Sequence, residues 1–212
     1  MFNSFINSLS AELKKDLPGF SAQKTMAPLG RKPPAEYLKK DVNPKSSAVL
    51  ILLYPKLVDV CTVLIVRPEK EGSKHAGQIA FPGGGFEVLD KDLSETALRE
   101  TEEEIGVNRN SISLLGSLTP LYIPVSNYMM HPFVGAVNSP PQFNLEPSEV
   151  DGIVEVGLYD FVSENSQSSI ERFVNVRGTS MKVPCYEING KIIWGATAMI
   201  IAEFSEIIRR IK

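Results

Sequence analysis

The sequence lacks the features of secreted, membrane-spanning and disulfide-rich proteins. Only two cysteines occur in 212 residues, and both Cys61 and Cys185 lie in apolar runs, so we expect reduced core thiols. No apolar run reaches the roughly 18 residues of a membrane-spanning helix. Residues 1–17 also lack the apolar core and cleavage site of a signal peptide. We therefore expect a cytoplasmic protein with no membrane partner.

Basic residues are not in excess either. The chain has 22 Lys and Arg against 25 Asp and Glu, a formal net charge of -3. A sequence-independent nucleic-acid binder needs a basic field, so we expect no nucleic-acid partner. A small anionic ligand requires only a local basic pocket and stays open, as does the formation of a homodimer.

What the chain does contain suits one folded domain. Its 43% hydrophobic residues can bury one sizeable core. We divide the chain into an N-terminal helix and connector, residues 1–45, and a main domain, residues 46–212. The first 17 residues carry apolar side chains at helical spacing up to Pro18-Gly19, and the connector contains several prolines.

The main domain mixes strand and helix patterns. Helices are predicted at Leu93–Ile105, with Asp92 and Glu95 as a capping box and Gly106 as its stop, and at Ala196–Ile211. The resulting architecture is an α/β sandwich centred on a sheet. The strand predictions are Ala48–Tyr54, Val60–Val66, Gln78–Phe81, Ile112–Leu118, His131–Val137, Gly152–Leu158, Ser169–Val176, and a hairpin over Val183–Trp194 that turns at Asn189-Gly190.

Three carboxylates share one face of the first long helix. At about 100° per residue, Glu100, Glu103 and Glu104 fall within an arc of about 100°, whereas Glu102 points away. Such like charges repel one another, and a bound divalent cation would compensate them best. All-oxygen ligands suit Mg²⁺, which typically bridges carboxylates to substrate phosphates. A solvated glutamate-rich face is the competing interpretation.

The surroundings of this helix supply further candidates. Gly83, Gly84 and Gly85 precede it and would let the backbone approach a ligand closely. Arg99 is placed to pair with Glu95 and Glu103 at i,i+4 spacing, where it could orient the Glu103 carboxylate.

This segment resembles the Nudix box, a 23-residue signature written G-x5-E-x7-R-E-U-x-E-E-x-G-U, where U is apolar. Arg99 to Val107 matches every fixed letter except that Thr101 occupies an apolar position. A spacer one residue longer makes Gly84 the box glycine and Asp90 its acid, although Asp90 could equally belong to the turn before the helix. The resemblance implies a Nudix fold, a mixed β-sheet sandwiched between α-helices, with Mg²⁺ or Mn²⁺ held by Glu100, Glu103 and Glu104.

Upstream residues resemble the extra motif of the coenzyme A diphosphatase branch, L-L-T-x-R-S-x3-R-x3-G-x3-F-P-G-G. Gly77 and Phe81 to Gly84 match it. Arg67 takes the place of the first arginine but lies ten residues before Gly77 instead of nine. The second arginine would fall at Ser73, and Lys74 is the nearest cation.

Two residues are assigned with open alternatives. Glu149 follows a proline-containing loop, where many Nudix enzymes place a further metal ligand or general base, with Glu146 and Asp151 as competitors. His75 could contact a substrate phosphate or serve as a structural hydrogen-bonding residue.

The predicted function is metal-dependent hydrolysis of a diphosphate bond in a small nucleotide-containing substrate. A metal-activated water attacks phosphorus, with Glu100, Glu103, Arg99 and Glu149 as catalytic residues. Coenzyme A or acyl-CoA is the expected substrate, giving 3′,5′-ADP and 4′-phosphopantetheine. The alternatives are a Nudix hydrolase of ADP-ribose, a dinucleotide or a nucleoside triphosphate, and an inactive nucleotide-binding regulator. Substrate-binding residues are predicted at Arg67, Lys74, His75, Gly83, Gly84 and Gly85.

Overall fold

The computed structural model describes residues 1–38, 42–69, 77–162, 170–176 and 179–211. In these ranges six α-helices occur: α1 Phe2–Glu12, α2 Phe20–Gln23, α3 Pro34–Tyr37, α4 Leu93–Ile105, α5 Leu158–Val162 and α6 Gly195–Arg209. Eleven strands occur in the same ranges: β1 Lys45–Lys56, β2 Asp59–Val66, β3 Ile79–Ala80, β4 Gly83–Gly85, β5 Ser113–Ser117, β6 Leu121–Ile123, β7 Tyr128–Ala136, β8 Gly152–Gly157, β9 Ile170–Val176, β10 Thr179–Ile188 and β11 Lys191–Trp194. None of the helices described here is long and apolar enough to span a membrane.

The main sheet is mixed. Strand β1 runs parallel to β7 and antiparallel to β2 and β4. Strands β3 and β8 pair with β2, whereas strands β5 and β6 pair with β7. A second antiparallel sheet has the order β11-β10-β9. The connection between β10 and β11 turns at Asn189 and Gly190, both with positive φ, as the Asn-Gly pair predicts.

Strand β1 shows how the layers are arranged, because it is buried on both faces. Successive side chains of a strand point to opposite faces. One face carries Ala48, Leu50, Leu52 and Tyr54, which cluster with Ala97 and Ile105 of α4. The other carries Val49, Ile51 and Leu53, which cluster with Ile200, Phe204 and other residues of α6. A mixed sheet with helices on both sides confirms the predicted fold class.

The N-terminal segment packs onto the domain through the α6 side. Leu9, Leu13 and Met26 join the core cluster of that face. Glu203 of α6 is fully buried and accepts hydrogen bonds from the Gly19 backbone N–H at 3.0 Å and the Gln23 Nε2 at 2.8 Å. Helix α2 is therefore anchored to the sandwich, while the division of the chain at residue 45 stays a prediction.

The two longest helices were predicted closely, whereas several short elements were not predicted. Helix α4 has the predicted bounds, and α6 begins one residue before the predicted Ala196 and ends at Arg209. The first helix is shorter than predicted because it ends at Glu12, five residues before Leu17. Strands β4 and β6 and helices α2, α3 and α5 were not predicted, and Leu158 begins a helix instead of ending a strand.

Candidate active site

Helix α4 is fixed at both ends by its own sequence. Asp92 Oδ1 accepts hydrogen bonds from the backbone N–H groups of Ser94 at 2.8 Å and Glu95 at 3.0 Å. Gly106 then adopts a left-handed conformation with φ of 73°, and its N–H donates to the Glu102 carbonyl. These two ends set which helical positions face the sheet and which carry the glutamates.

Three carboxylates meet beside the C-terminal half of α4. Oxygen atoms of Glu100, Glu104 and Glu149 all lie within 4.8 Å of one another. Glu104 is only 2% exposed, and this burial raises its pKa to about 7 even though the Arg67 guanidinium opposes the rise. Burial likewise raises the pKa of Glu100, against the influence of Arg99. A cation placed among these carboxylates would remove the penalty for keeping them ionised.

Glu149 reaches this cluster because its loop, between β7 and β8, is hydrogen-bonded to the end of α4. The last carbonyls of a helix have no partner within it. Here the Glu146 N–H donates to the Glu104 carbonyl at 3.1 Å, and the Glu149 N–H donates to the Glu146 carbonyl at 3.0 Å. The chain between β7 and β8 thus delivers Glu149, and not its competitors Glu146 or Asp151, to the group that includes Glu104.

Arg99 lies between the carboxylates and is held by Asp90. Asp90 is buried and accepts hydrogen bonds from Arg99 Nε at 2.9 Å and Nη2 at 3.1 Å. Arg99 Nη1 donates to Glu100 at 3.0 Å and to Glu103 at 2.8 Å. The Arg99 guanidinium holds the pKa of Asp90 well below its usual range. Asp90 therefore positions the arginine that orients two site glutamates.

The predicted pairing of Arg99 with Glu95 is wrong, whereas its pairing with Glu103 is confirmed. The Glu95 carboxylate instead accepts a hydrogen bond from the Lys91 backbone N–H at 2.9 Å and so contributes to the helix start. The Glu103 carboxylate is half exposed and lies beside the cluster of three. Glu102 points away, as predicted, and pairs with Arg109.

The triple glycine forms β4 and borders the acidic cluster directly. The Gly83 N–H donates to Glu104 Oε2 at 2.8 Å, and Arg67 Nη2 donates to the Gly83 carbonyl at 2.9 Å. A Cβ atom on Gly84 would lie 2.5 Å from the Glu100 carboxylate, so a larger residue would displace that side chain. Glycine here permits close approach between strand and helix.

A pocket of about 550 Å³ opens on the other side of β4. Its walls are mostly apolar and come from the glycine strand, from β6 and β7, from the start of α6 and from the connector around Arg31 and Tyr37. In the described part of its lining the charged side chains are Arg31 and Arg67, with no carboxylate. The pocket therefore suits an organic group that carries negative charge.

The predicted site residues that the structure describes lie around the acidic cluster and the glycine strand. Lys74 and His75 lie outside the described residues and stay predictions. Arg31 was missed because its connector shows no periodic pattern. The clue in the sequence is an arginine next to prolines and a tyrosine, Tyr37, which is a weak signal.

An α/β sandwich whose acidic helix packs against a glycine edge is an architecture suited to handling phosphates. The model of the NUDIX domain matches residues 44–173, more than half of the chain, and the chain therefore belongs to the Nudix family. It is a hydrolase that acts on pyrophosphate bonds. Members of this family generally use divalent metal ions, and the cluster of Glu100, Glu104 and Glu149 offers the oxygen ligands that such ions prefer.

Curated relatives and solved structures agree with this assignment. The chain is 36% identical over 177 residues to a Nudix hydrolase NudL from Photorhabdus laumondii, covering 82% of this chain and 90% of the relative. It is 34% identical to a NudL of Yersinia enterocolitica, over 68% of this chain and 73% of that protein. A MutT protein from Methanosarcina mazei shares the fold with a TM-score of 0.51 and 16% identity, over 81% of this chain and 98% of that one.

Proposed function

We propose that this Nudix hydrolase cleaves the diphosphate of coenzyme A or acyl-CoA and releases 3′,5′-ADP and 4′-phosphopantetheine. The observation that carries the proposal is the position of the acidic cluster. Glu104 bonds to the Gly83 N–H, and Gly83 and Gly84 also line the 550 Å³ pocket. If the diphosphate of the substrate lies at the cluster, the organic group attached to it, here called the organic arm, would face a pocket of suitable size.

The divalent ion we propose is Mg²⁺ or Mn²⁺, held by Glu100, Glu104 and Glu149, with Glu103 beside them as a further ligand. When bound, the ion supplies charge neutralisation for the phosphate oxygens and lowers the pKa of a coordinated water. The fit rests on the donor set. Three oxygen donors lie within 4.8 Å of one another, and one of them, Glu104, is a buried carboxylate with a raised pKa.

The remaining residues orient the reacting groups. Arg99, fixed by Asp90, holds Glu100 and Glu103 and prevents their side chains from turning away. Glu100 and Glu149 are proposed to accept a proton from the attacking water. Arg67 fixes the glycine edge through the Gly83 carbonyl and presents its charge where a phosphate would lie. Lys74 and His75 are proposed as further phosphate contacts.

The sequence around Gly77 to Gly84 supports coenzyme A over other nucleoside diphosphate derivatives, because it resembles the motif of that branch. The competing substrates are ADP-ribose, a dinucleotide or a nucleoside triphosphate. A further alternative is a binding protein without turnover, which the retained cluster of Glu100, Glu104 and Glu149 disfavours.

The deciding experiment is a substrate panel with product identification. We expect kcat/KM in Mg²⁺ or Mn²⁺ to be highest for coenzyme A among coenzyme A, ADP-ribose, NADH and a nucleoside triphosphate. Glu104→Gln should lower turnover at least about 100-fold, since it removes a metal-binding charge at constant volume. Glu102→Gln is the matched control on the opposite helix face and should be nearly silent.

The other outcomes would contradict different parts of the proposal. If kcat/KM for ADP-ribose or NADH is higher by about tenfold or more, coenzyme A is not the substrate class, while the hydrolase assignment stands. If no substrate is cleaved with either metal, the result favours a binding protein without turnover. If Glu104→Gln keeps wild-type turnover, the metal site lies elsewhere.

A further inference from the structure

Arg31 is a cation in the pocket wall without an acidic partner among the described residues. Its connector precedes the segment matched by the family model, residues 44–173. Arg31 Nη2 donates to the Tyr122 carbonyl, and its Cζ lies 5.6 Å from the centre of the Tyr37 ring. Its Nε is buried and has no hydrogen-bond partner. A guanidinium of this kind has donors left for a ligand.

Partial burial of the Arg31 side chain makes this arrangement unfavourable unless an anion completes it. An uncompensated charge removed from water is unfavourable, and desolvation lowers the pKa of Arg31 from its ordinary value. Arginine nevertheless stays charged in proteins. The pocket that it faces is about 550 Å³ and has no carboxylate in its described lining. A bound anion would supply the counter-charge that the described residues do not provide.

The sheet fixes how far Arg31 lies from the acidic cluster. Gly85, Ser47, Met130 and Leu121 form one row across β4, β1, β7 and β6. Neighbouring strands are roughly 4.8 Å apart, so β6 lies three spacings, about 14 Å, from the glycine strand. Arg31 bonds to Tyr122 on β6, whereas Glu104 bonds to Gly83 on β4. We therefore infer that the phosphate bound by Arg31 is not one of the two linked phosphoryl groups at the cluster.

We propose that Arg31 binds a second phosphate, separate from the diphosphate that is cleaved, on the organic arm that fills the pocket. This proposal rests on the proposed function, in which the second phosphate is the 3′-phosphate of coenzyme A. Tyr37 orients the guanidinium by stacking, and its hydroxyl oxygen accepts a hydrogen bond from the Lys32 N–H at 3.1 Å. Arg31 is thus a specificity-determining residue, and Arg67 serves the phosphates at the glycine edge.

The test compares coenzyme A with its 3′-dephospho form. A charge-assisted bond to the 3′-phosphate should make wild-type kcat/KM roughly 10- to 150-fold higher for coenzyme A. Arg31→Gln should reduce this ratio at least about tenfold, because only coenzyme A carries the phosphate that Arg31 is proposed to bind. Because both substrates are measured on one preparation, incomplete folding cancels from the ratio. Arg31→Lys keeps the positive charge but loses the paired donors of the guanidinium, so its ratio of kcat/KM values should be intermediate.

Lys32→Gln is the matched control. Lys32 is adjacent and equally charged, but it is exposed and pairs with Glu36 at 3.2 Å, so its loss should leave the ratio unchanged. The proposal is overturned if Arg31→Gln slows both substrates equally or keeps the wild-type ratio. It is also overturned if Lys74→Ala alone narrows the lead of coenzyme A.

A binding measurement separates this proposal from the substrate assignment. Without metal, the wild type should bind adenosine 3′,5′-bisphosphate at least about tenfold more tightly than AMP, and Arg31→Gln should bind both alike. If coenzyme A is not hydrolysed but this difference holds, the proposed substrate fails and the second phosphate site stands. If the wild type binds both nucleotides equally, the second phosphate site is refuted.

Discussion

The pair of Asp90 and Arg99 links the turn before α4 to Glu100 and Glu103. Asp90 is 6% exposed and accepts hydrogen bonds from Arg99, from Thr96 Oγ1 and from the Glu87 backbone N–H. Removal of one member of a buried pair leaves the other charge uncompensated. At the residue scale, the site is thus sensitive to a side chain that cannot itself contact substrate.

We predict that Asp90→Asn lowers the free energy of unfolding by about 3 kcal/mol at pH 7, measured by urea denaturation. Because the pKa of Asp90 is depressed in the folded state, its stabilising effect is complete above the unfolded-state pKa of about 3.9 and fades as pH falls below it. The difference between variant and wild type should therefore shrink below about pH 4.

Asp92→Asn provides the matched control for this prediction. Asp92 is exposed, and asparagine also caps helices well, so the loss of stability should be well under that of Asp90→Asn. Equal losses in both variants, or a difference for Asp90→Asn that persists unchanged at pH 3, would contradict the role of the buried pair.

Individual site residues could be predicted from sequence to the extent that they lie on one regular element. Glu100, Glu103 and Glu104 share a face because α4 has a fixed angular spacing. The sequence could not decide between Glu149 and its neighbours Glu146 and Asp151, since the position of Glu149 depends on backbone hydrogen bonds between its loop and the end of α4. Asp90 was ambiguous because the signature is shifted by one residue there.

At the scale of elements, β4 and α4 pack so closely that no side chain fits at Gly84. We predict that Gly84→Ala lowers turnover at least about tenfold, because its Cβ would lie 2.5 Å from the Glu100 carboxylate and would displace that side chain. Thermal unfolding of the same preparation shows whether the loss of turnover is measured on folded protein.

The neighbouring glycine provides a comparison of equal chemical size. A Cβ on Gly85 would have Tyr128 Oη as its nearest neighbour at 3.8 Å, an ordinary contact. Gly85→Ala should therefore reduce turnover much less than Gly84→Ala. Similar turnover for both alanine variants would show that the glycine strand and Glu100 are not in steric contact.

Elements were predictable where their sequence signals are long or specific. The capping residues and apolar stripe fix α4, and Asn189-Gly190 marks the turn between β10 and β11. The three glycines of β4 give no strand signal, since their pairing with Ser47 to Val49 depends on the tertiary contact with β1. Strand β6 has only three residues, too few for a periodic pattern.

At the scale of the molecule, the pocket is assembled from parts of the chain that are far apart in sequence. The connector supplies Arg31 and Tyr37, β4 supplies the glycines, and the start of α6 supplies Ala196 and Thr197. Sequence patterns describe each part separately and carry no signal for their proximity. The buried Glu203 network with Gly19 and Gln23 supports the N-terminal side of this assembly.

Metal binding should stabilise the whole molecule, because Glu100, Glu104 and Glu149 repel one another until a cation lies among them. A ligand that binds only the folded state at 100 times its Kd adds about 2.7 kcal/mol. For a chain of this length that corresponds to a rise in Tm of roughly 5–10 °C. We therefore predict that millimolar Mg²⁺ or Mn²⁺ raises Tm by this amount and that a chelator reverses the rise.

Glu104→Gln should lose most of the Tm shift and Glu102→Gln should keep it, since Glu104 belongs to the cluster and Glu102 does not. Absence of any shift in the wild type, or a full shift in Glu104→Gln, would be incompatible with a metal ion at these carboxylates.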